Sequence, residues 1–155
     1  MTVEHRVGDL FAAQDVQALA HGCNCAGAMG RGIAVGFKER WPEMYQVYRS
    51  KCRSGDFVPG AVFPWVTPEG LIIYNLGTQS HWRRSARLED VMSAVDAMCA
   101  HAATHGIQRI GMPLVGAGLG RLKWEDVESG MAPIVRRYGV TAIVHRLPAD
   151  GVVAE

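Results

Sequence analysis

The residue types able to do chemistry in this chain fall in three short stretches. In the first, Cys23-Asn24-Cys25-Ala26-Gly27-Ala28-Met29-Gly30-Arg31-Gly32-Ile33-Ala34, three glycines and two alanines separate an apolar run from a helical pattern. The second, Pro113-Leu114-Val115-Gly116-Ala117-Gly118-Leu119-Gly120-Arg121-Leu122, repeats that design after another apolar run. The third is Leu76-Gly77-Thr78-Gln79-Ser80-His81-Trp82, followed by Arg83, Arg84 and Arg87. Glycine tolerates unusual dihedrals and has no Cβ to block approach. A strand feeding a small-residue loop feeding a helix therefore brings backbone N–H groups close to an anion. The expected guest is a phosphate or pyrophosphate, and two such loops suggest two walls of one cleft.

The remaining reactive groups narrow the chemistry. Four cysteines (Cys23, Cys25, Cys52, Cys99) include a C-x-C pair but no C-x-x-C, and no His stands at zinc-finger spacing from the pair. They read as reduced thiols of a cytoplasmic protein, with no metal and no cofactor expected. The 155 residues suit one domain, residues 1–147 with a tail at 148–155. With 16 Lys+Arg against 15 Asp+Glu, nothing global draws the chain to nucleic acid or to a membrane. No apolar run approaches the roughly 20 residues needed to cross a bilayer.

The elements that must hold these stretches alternate. Val3–Val7 reads as a strand ending at Gly8-Asp9-Leu10. Val16–Ala20 reads as a buried strand delivering His21-Gly22 and the first loop. A helix on Ile33, Ala34 and Phe37 should end before Pro42, which restarts a helix carrying Met44, Val47 and Tyr48 on one side and stopping at Gly55. Ala61–Val66 and Leu71–Leu76 form a hairpin across Thr67-Pro68-Glu69-Gly70. Leu88, Val91, Met92, Val95, Met98, Cys99 and Ala102 follow helical spacing and predict a long helix within Ser85–His105. Arg109–Val115 delivers the second loop. A last helix up to Gly139 should be kinked or split by Gly130 and Pro133, and Thr141–Leu147 closes as a strand. The alternation implies an α/β fold with a mixed sheet covered on both faces, with ligands bound beyond the carboxyl ends of strands.

Asn24-Cys25, Met29-Gly-Arg-Gly-Ile-Ala and Phe37, with Gly8-Asp9-Leu10 before them and Pro113 through Trp124 after, stand in the order of the macrodomain family, which the chain resembles over nearly its whole length. Within that superfamily it is most similar to the branch that removes terminal ADP-ribose from proteins and DNA. The resemblance implies a three-layer α/β/α fold with a mixed, mostly parallel central sheet and ADP-ribose in a cleft. Carried over by motif, Asp9 accepts from the adenine amino group and Leu10 lines that pocket; Asn24 meets the distal ribose. Gly30, Gly32, Ile33 and Ala34 flank the diphosphate and distal sugar. Gly116, Ala117, Gly118, Leu119 and Gly120 supply donors opposite, and Thr78 and Leu114 complete the expected set.

Two departures shape the expected chemistry. Gln79 stands where the glycohydrolase branch carries a nucleophilic lysine, and Gly120 stands where one member of that branch carries aspartate. An amide cannot form a Schiff-base-type intermediate. Neither glycine loop contains the carboxyl pair of a conventional glycosidase. The expected reaction is therefore water-based and substrate-assisted, with Asn24, Gln79 and His81 as its candidate residues. A carboxylate leaving group, with a pKa near 4, needs no strong acid, which selects ADP-ribose esterified to Asp or Glu of proteins. His81 is the nearest conventional base, in a polar segment that also reads as exposed loop. Trp82, Arg83, Arg84 and Arg87 read equally as a solvated loop or as a landing surface for a modified protein or a nucleic-acid strand. A reader that binds ADP-ribose without chemistry, a hydrolase of ADP-ribose 1″-phosphate or O-acetyl-ADP-ribose, and an enzyme acting on ADP-ribosylated DNA are the alternatives.

Overall fold

The computed structural model describes residues 2–147, so the expected tail lies outside the described residues. The strands are β1 (Val3–Val7), β2 (Ala18–Asn24), β3 (Val62–Val66), β4 (Ile72–Gln79), β5 (Arg109–Met112) and β6 (Thr141–Arg146). The helices are α1 (Ala34–Arg40), α2 (Pro42–Ser54), α3 (Leu88–Thr104) and α4 (Trp124–Tyr138), with a short 3-10 turn at Leu10–Ala12. The six strands form one sheet in the order β1-β6-β5-β2-β4-β3, parallel except for β3, which runs antiparallel to β4 through the expected hairpin.

Alternation along the strands sends side chains to two cores. Ala18, Ala20, Tyr74, Leu76, Ile110 and Met112 meet Val91, Val95 and Met98 of α3 and Val127 and Met131 of α4. Leu19, Cys23 and Ile73 meet Phe37 of α1 and Met44 and Tyr48 of α2 on the other face. Burying each of the larger aliphatic side chains contributes about 1.5–3 kcal/mol, which lets both helical layers cover the sheet. On α3 the buried stripe is Val91, Ala94, Val95, Met98, Cys99 and Ala102; Leu88, expected in it, opens the helix at the exposed end.

Three elements differ from expectation, and two of the differences build the site. β2 runs on past Ala20 to Asn24 because its parallel partner β4 also continues, pairing His21 with Asn75 and Cys23 with Gly77. The register then shifts by one residue, so that Asn24 lies opposite Gln79 and Thr78 is passed over. Such an irregularity re-aims side chains at a strand end. Here it sets the backbones of Asn24 and Gln79 side by side. Gly77 permits the close approach: a Cβ there would lie 2.5 Å from the Val58 carbonyl oxygen and 3.3 Å from Cys25 Sγ. β5 stops at Met112, three residues short, and the chain turns into the second loop at Pro113.

The third difference is α4, which is one helix rather than two. Pro133 forfeits one ladder hydrogen bond, but Val127, Met131, Ile134 and Val135 are buried on one side of it and hold the helix to the sheet. Gly130 serves packing rather than bending, since its missing side chain makes room for Met92, whose Sδ would sit 2.5 Å from a Cβ at that position.

Candidate active site

β2 and β5 are parallel neighbours, pairing Ala18 with Ile110 and Leu19 with Gly111, so the loops leaving their carboxyl ends emerge side by side. Between them lies a cleft of about 340 Å³. Gly22, Cys23, Asn24, Ala28, Gly30, Arg31 and Ala34 line it from the first loop. Gln79 and Trp82 line it from the end of β4, and Gly118, Leu119 and Arg121 from the second loop. The backbone N–H groups of Gly30 to Ala34 and of Gly118 to Gly120 donate to no protein acceptor among the described residues. Gly32 and Gly116 take left-handed conformations, with φ of 63° and 77°. Two facing segments with spare donors suit an elongated anion such as a diphosphate.

Asn24 shapes this cleft more than it reaches into it. Its Oδ1 accepts from Ala26 N at 3.0 Å and Ala28 N at 3.2 Å, and its Nδ2 donates to the Ala28 carbonyl at 2.8 Å. Tyr48 of α2, fully buried, brings its hydroxyl to 2.7 Å from the Asn24 carbonyl and 3.1 Å from Oδ1. The acceptor end of the amide is thus fully engaged, and one N–H remains for a ligand. Tyr48 was readable only as part of an apolar helix face; nothing in its spacing shows that its hydroxyl anchors a loop 24 residues upstream.

Gln79 lines the cleft with its amide already directed. Nε2 donates to the Arg84 carbonyl at 2.5 Å and approaches the His81 carbonyl at 3.4 Å, so the side chain ties β4 to the segment that carries Trp82. His81 does not line the cleft. Its Nδ1 accepts the Arg83 N–H at 3.1 Å and its ring stacks on Trp82 with centroids 3.8 Å apart, so it supports Trp82.

Other expected ligand contacts lie elsewhere. Asp9 is exposed and caps the 3-10 turn, accepting from Phe11 N at 3.0 Å. It borders a separate depression with Arg6, Asp15 and His145. Leu10, Ile33 and Leu114 are core residues, and Thr78 is buried, donating to the Cys23 carbonyl at 3.3 Å. Gly32, Gly116, Ala117 and Gly120 shape the loops without lining the cleft. Gly120 has no room for more: a Cβ would lie 2.6 Å from the Gly116 carbonyl oxygen and 3.0 Å from Ala86 Cβ. His21 is buried beneath the site, stacked on Phe37 at 3.9 Å with Nε2 2.7 Å from Asn75 Oδ1. His145 Nδ1 donates to the Ile143 carbonyl, its buried Nε2 meets no partner among the described residues, and burial lowers its pKa.

The cleft also holds two charged side chains to which the sequence motifs assign no chemistry. Arg31 and Arg121 line the cleft as exposed residues, and both sit directly after a loop glycine, which is the signal that marks them. Arg121 holds φ at 65°, the one non-glycine residue with positive φ among the described residues. Such a conformation costs about 1–2 kcal/mol and is retained where surroundings impose it. Here the 3.0 Å bond from Arg121 N to the Gly118 carbonyl closes the turn.

The thiol in the first loop is poorly placed to act as a nucleophile. Burial, with Cys52 and Asp90 nearby, pushes Cys25 up to about 12, which leaves almost no thiolate at neutral pH. Cys25 therefore resists iodoacetamide at pH 8; peptide mapping after alkylation checks this. Among the described residues no cluster of three or more His, Cys, Asp or Glu could hold a metal ion, and no helix is long and apolar enough to cross a membrane.

A sequence model of the Macro domain matches residues 20–131, a span that includes both glycine loops and Gln79. The chain belongs to the Macro domain family. The DNA ADP-ribosyl glycohydrolase of Mycobacterium tuberculosis is 36% identical over 144 residues, covering 89% of this chain and 40% of that protein. The chain thus spans less than half the length of that relative. Human ADP-ribose glycohydrolase OARD1 is 29% identical over 140 residues, 90% of this chain and 88% of that protein. Among solved structures, the macrodomain of Mycobacterium tuberculosis DarG superposes with a TM-score of 0.85 at 33% identity, covering 92% of this chain and 96% of that one. The three-layer macrodomain architecture is therefore common to both, and the cleft lies at the carboxyl ends of its central strands.

Proposed function

We propose that this macrodomain is an ADP-ribosyl hydrolase that holds ADP-ribose between its two glycine loops and releases mono-ADP-ribose from modified proteins, preferring esters of Asp and Glu. One observation carries this reading: among the described residues the cleft is lined by no Asp, Glu, Lys or His. It supplies donors and positive charge, with no general acid for a poor leaving group and no amine to attack the sugar. A carboxylate departs as a stable anion with a pKa near 4, so such a site suffices for it. The relatives' names, which describe glycohydrolases of ADP-ribose, support hydrolysis over binding alone.

In this mechanism the loop N–H groups, Arg31 and Arg121 hold the diphosphate. Water forms the new bond to the anomeric carbon of the distal ribose as the bond to the carboxylate oxygen breaks, and the carboxylate leaves with the electron pair. Because Asn24 Oδ1 already accepts hydrogen bonds from the loop, the proton of the attacking water passes to a diphosphate oxygen rather than to Asn24, whose free N–H orients the sugar. A second reading, removal of ADP-ribose from DNA, is favoured by the 36% identity to a DNA ADP-ribosyl glycohydrolase.

Hydrolysis of a glutamate-linked ADP-ribosyl protein in ¹⁸O-labelled water tests the mechanism. Label is expected in the released ADP-ribose and not in the protein carboxylate. Label in the glutamate would place attack at the ester carbonyl and overturn the assignment of the anomeric carbon.

A further inference from the structure

Behind the first glycine loop, and sharing Ala28, Gly30 and Trp82 with the cleft, lies a second groove of about 350 Å³. Its outer wall is one face of α2: Tyr45, Arg49 and Arg53 follow at i, i+4 and i+8, a basic stripe about 12 Å long. Lys38 of α1 completes the wall, with its ammonium 4.6 Å from the centre of the Tyr45 ring. Among the described residues no carboxylate lines the groove, and none of the ion pairs involves Lys38, Arg49 or Arg53.

The near-neutral chain is in fact divided. Among the described residues, Arg31, Lys38, Arg49, Arg53 and Arg121 line the cleft or this groove and no Asp or Glu does, so positive charge gathers there. Charge alone suits any polyanion; the aromatic group decides between them. Trp82 stands at the junction of groove and cleft with one ring face covered by His81, yet it remains 45% exposed. A supported indole beside a row of cations is a platform for an unpaired base, which an acidic peptide does not require.

We infer that the groove formed by Lys38, Tyr45, Arg49, Arg53 and Trp82 binds a short run of single-stranded nucleic acid, its phosphates along α2 and a base on Trp82. This goes beyond the proposed hydrolysis, because binding of an unmodified strand is read without any bond being cut.

The test is fluorescence anisotropy with a labelled oligothymidylate of about 12 nucleotides, titrated across salt concentrations. Three phosphate contacts predict a slope of about −2 in log affinity against log salt, falling to about −0.7 in Arg49→Ala/Arg53→Ala. Arg49→Lys/Arg53→Lys restores the steeper slope, and both double variants bind free ADP-ribose as wild type does by calorimetry. Trp82→Ala loses roughly tenfold in strand affinity. The inference is overturned by absent strand binding in protein that binds ADP-ribose normally, or by equal affinity for a duplex of the same length. Displacement of the strand by a glutamate-rich peptide at similar concentration would overturn it in favour of an acidic protein segment. Loss of ADP-ribose binding by the wild type would instead strike the proposed function.

Discussion

Asn24→Ala is expected to lower ADP-ribose affinity by roughly 100-fold. The side chain makes three hydrogen bonds within its own loop, to Ala26 N, Ala28 N and the Ala28 carbonyl. At a net value of about 1 kcal/mol each, their loss amounts to about 3 kcal/mol, which falls on the loop conformation that presents the N–H groups of Gly30 to Ala34. Asn24→Asp separates this role from simple polarity. A carboxylate keeps the acceptor contacts but sets a charged oxygen against the Ala28 carbonyl, so it should fail nearly as badly although the residue remains polar and isosteric. Calorimetric titration with ADP-ribose measures both variants, and circular dichroism confirms the fold. Wild-type affinity in Asn24→Ala would show that the loop keeps its shape without the amide.

Gly120→Ala carries the second large effect, a loss of about 2–3 kcal/mol in stability together with at least a tenfold loss of ADP-ribose affinity. The atom that a Cβ would strike is a backbone oxygen held in place: the Gly116 carbonyl accepts from Leu122 N at 2.9 Å, while the Gly120 carbonyl accepts from Ala86 N at 2.9 Å. Neither can move without opening the turn that sets Gly118, Leu119 and Arg121 in the cleft wall. Gly120→Asp adds a larger, charged side chain to the same clash and should be worse still. Thermal denaturation and the same calorimetric titration check both. This places the glycine, where one member of the glycohydrolase branch has aspartate, as a packing requirement of this loop.

What could be read from the sequence was whatever periodicity or small-residue runs carry. The buried stripe of α3, the hairpin between β3 and β4 and the two loops at strand ends all follow from spacing that chain-local physics enforces. The site was half legible. Asn24, Gly30, Ala34, Gln79, Gly118 and Leu119 line the cleft, while Leu10, Ile33, Thr78 and Leu114 fill the core behind it. A motif names a segment; it does not say which way each side chain turns. Gln79 illustrates the limit, because its amide is aimed by the Arg84 carbonyl and by the register shift opposite Asn24, both products of tertiary pairing. Tyr48 and the i, i+4, i+8 row on α2 were hidden for the same reason, being visible only once α2 is laid against the first loop.

The proposed mechanism rests on the leaving group supplying what the cleft lacks. The most direct measurement is therefore release of ADP-ribose from three substrates side by side: a protein mono-modified on glutamate, one modified on arginine, and single-stranded DNA carrying ADP-ribosylated thymine. The proposed mechanism leads to release from the glutamate ester and none from arginine, whose nitrogen leaves poorly without an acid. Release from arginine, or binding of all three with release from none, would contradict it.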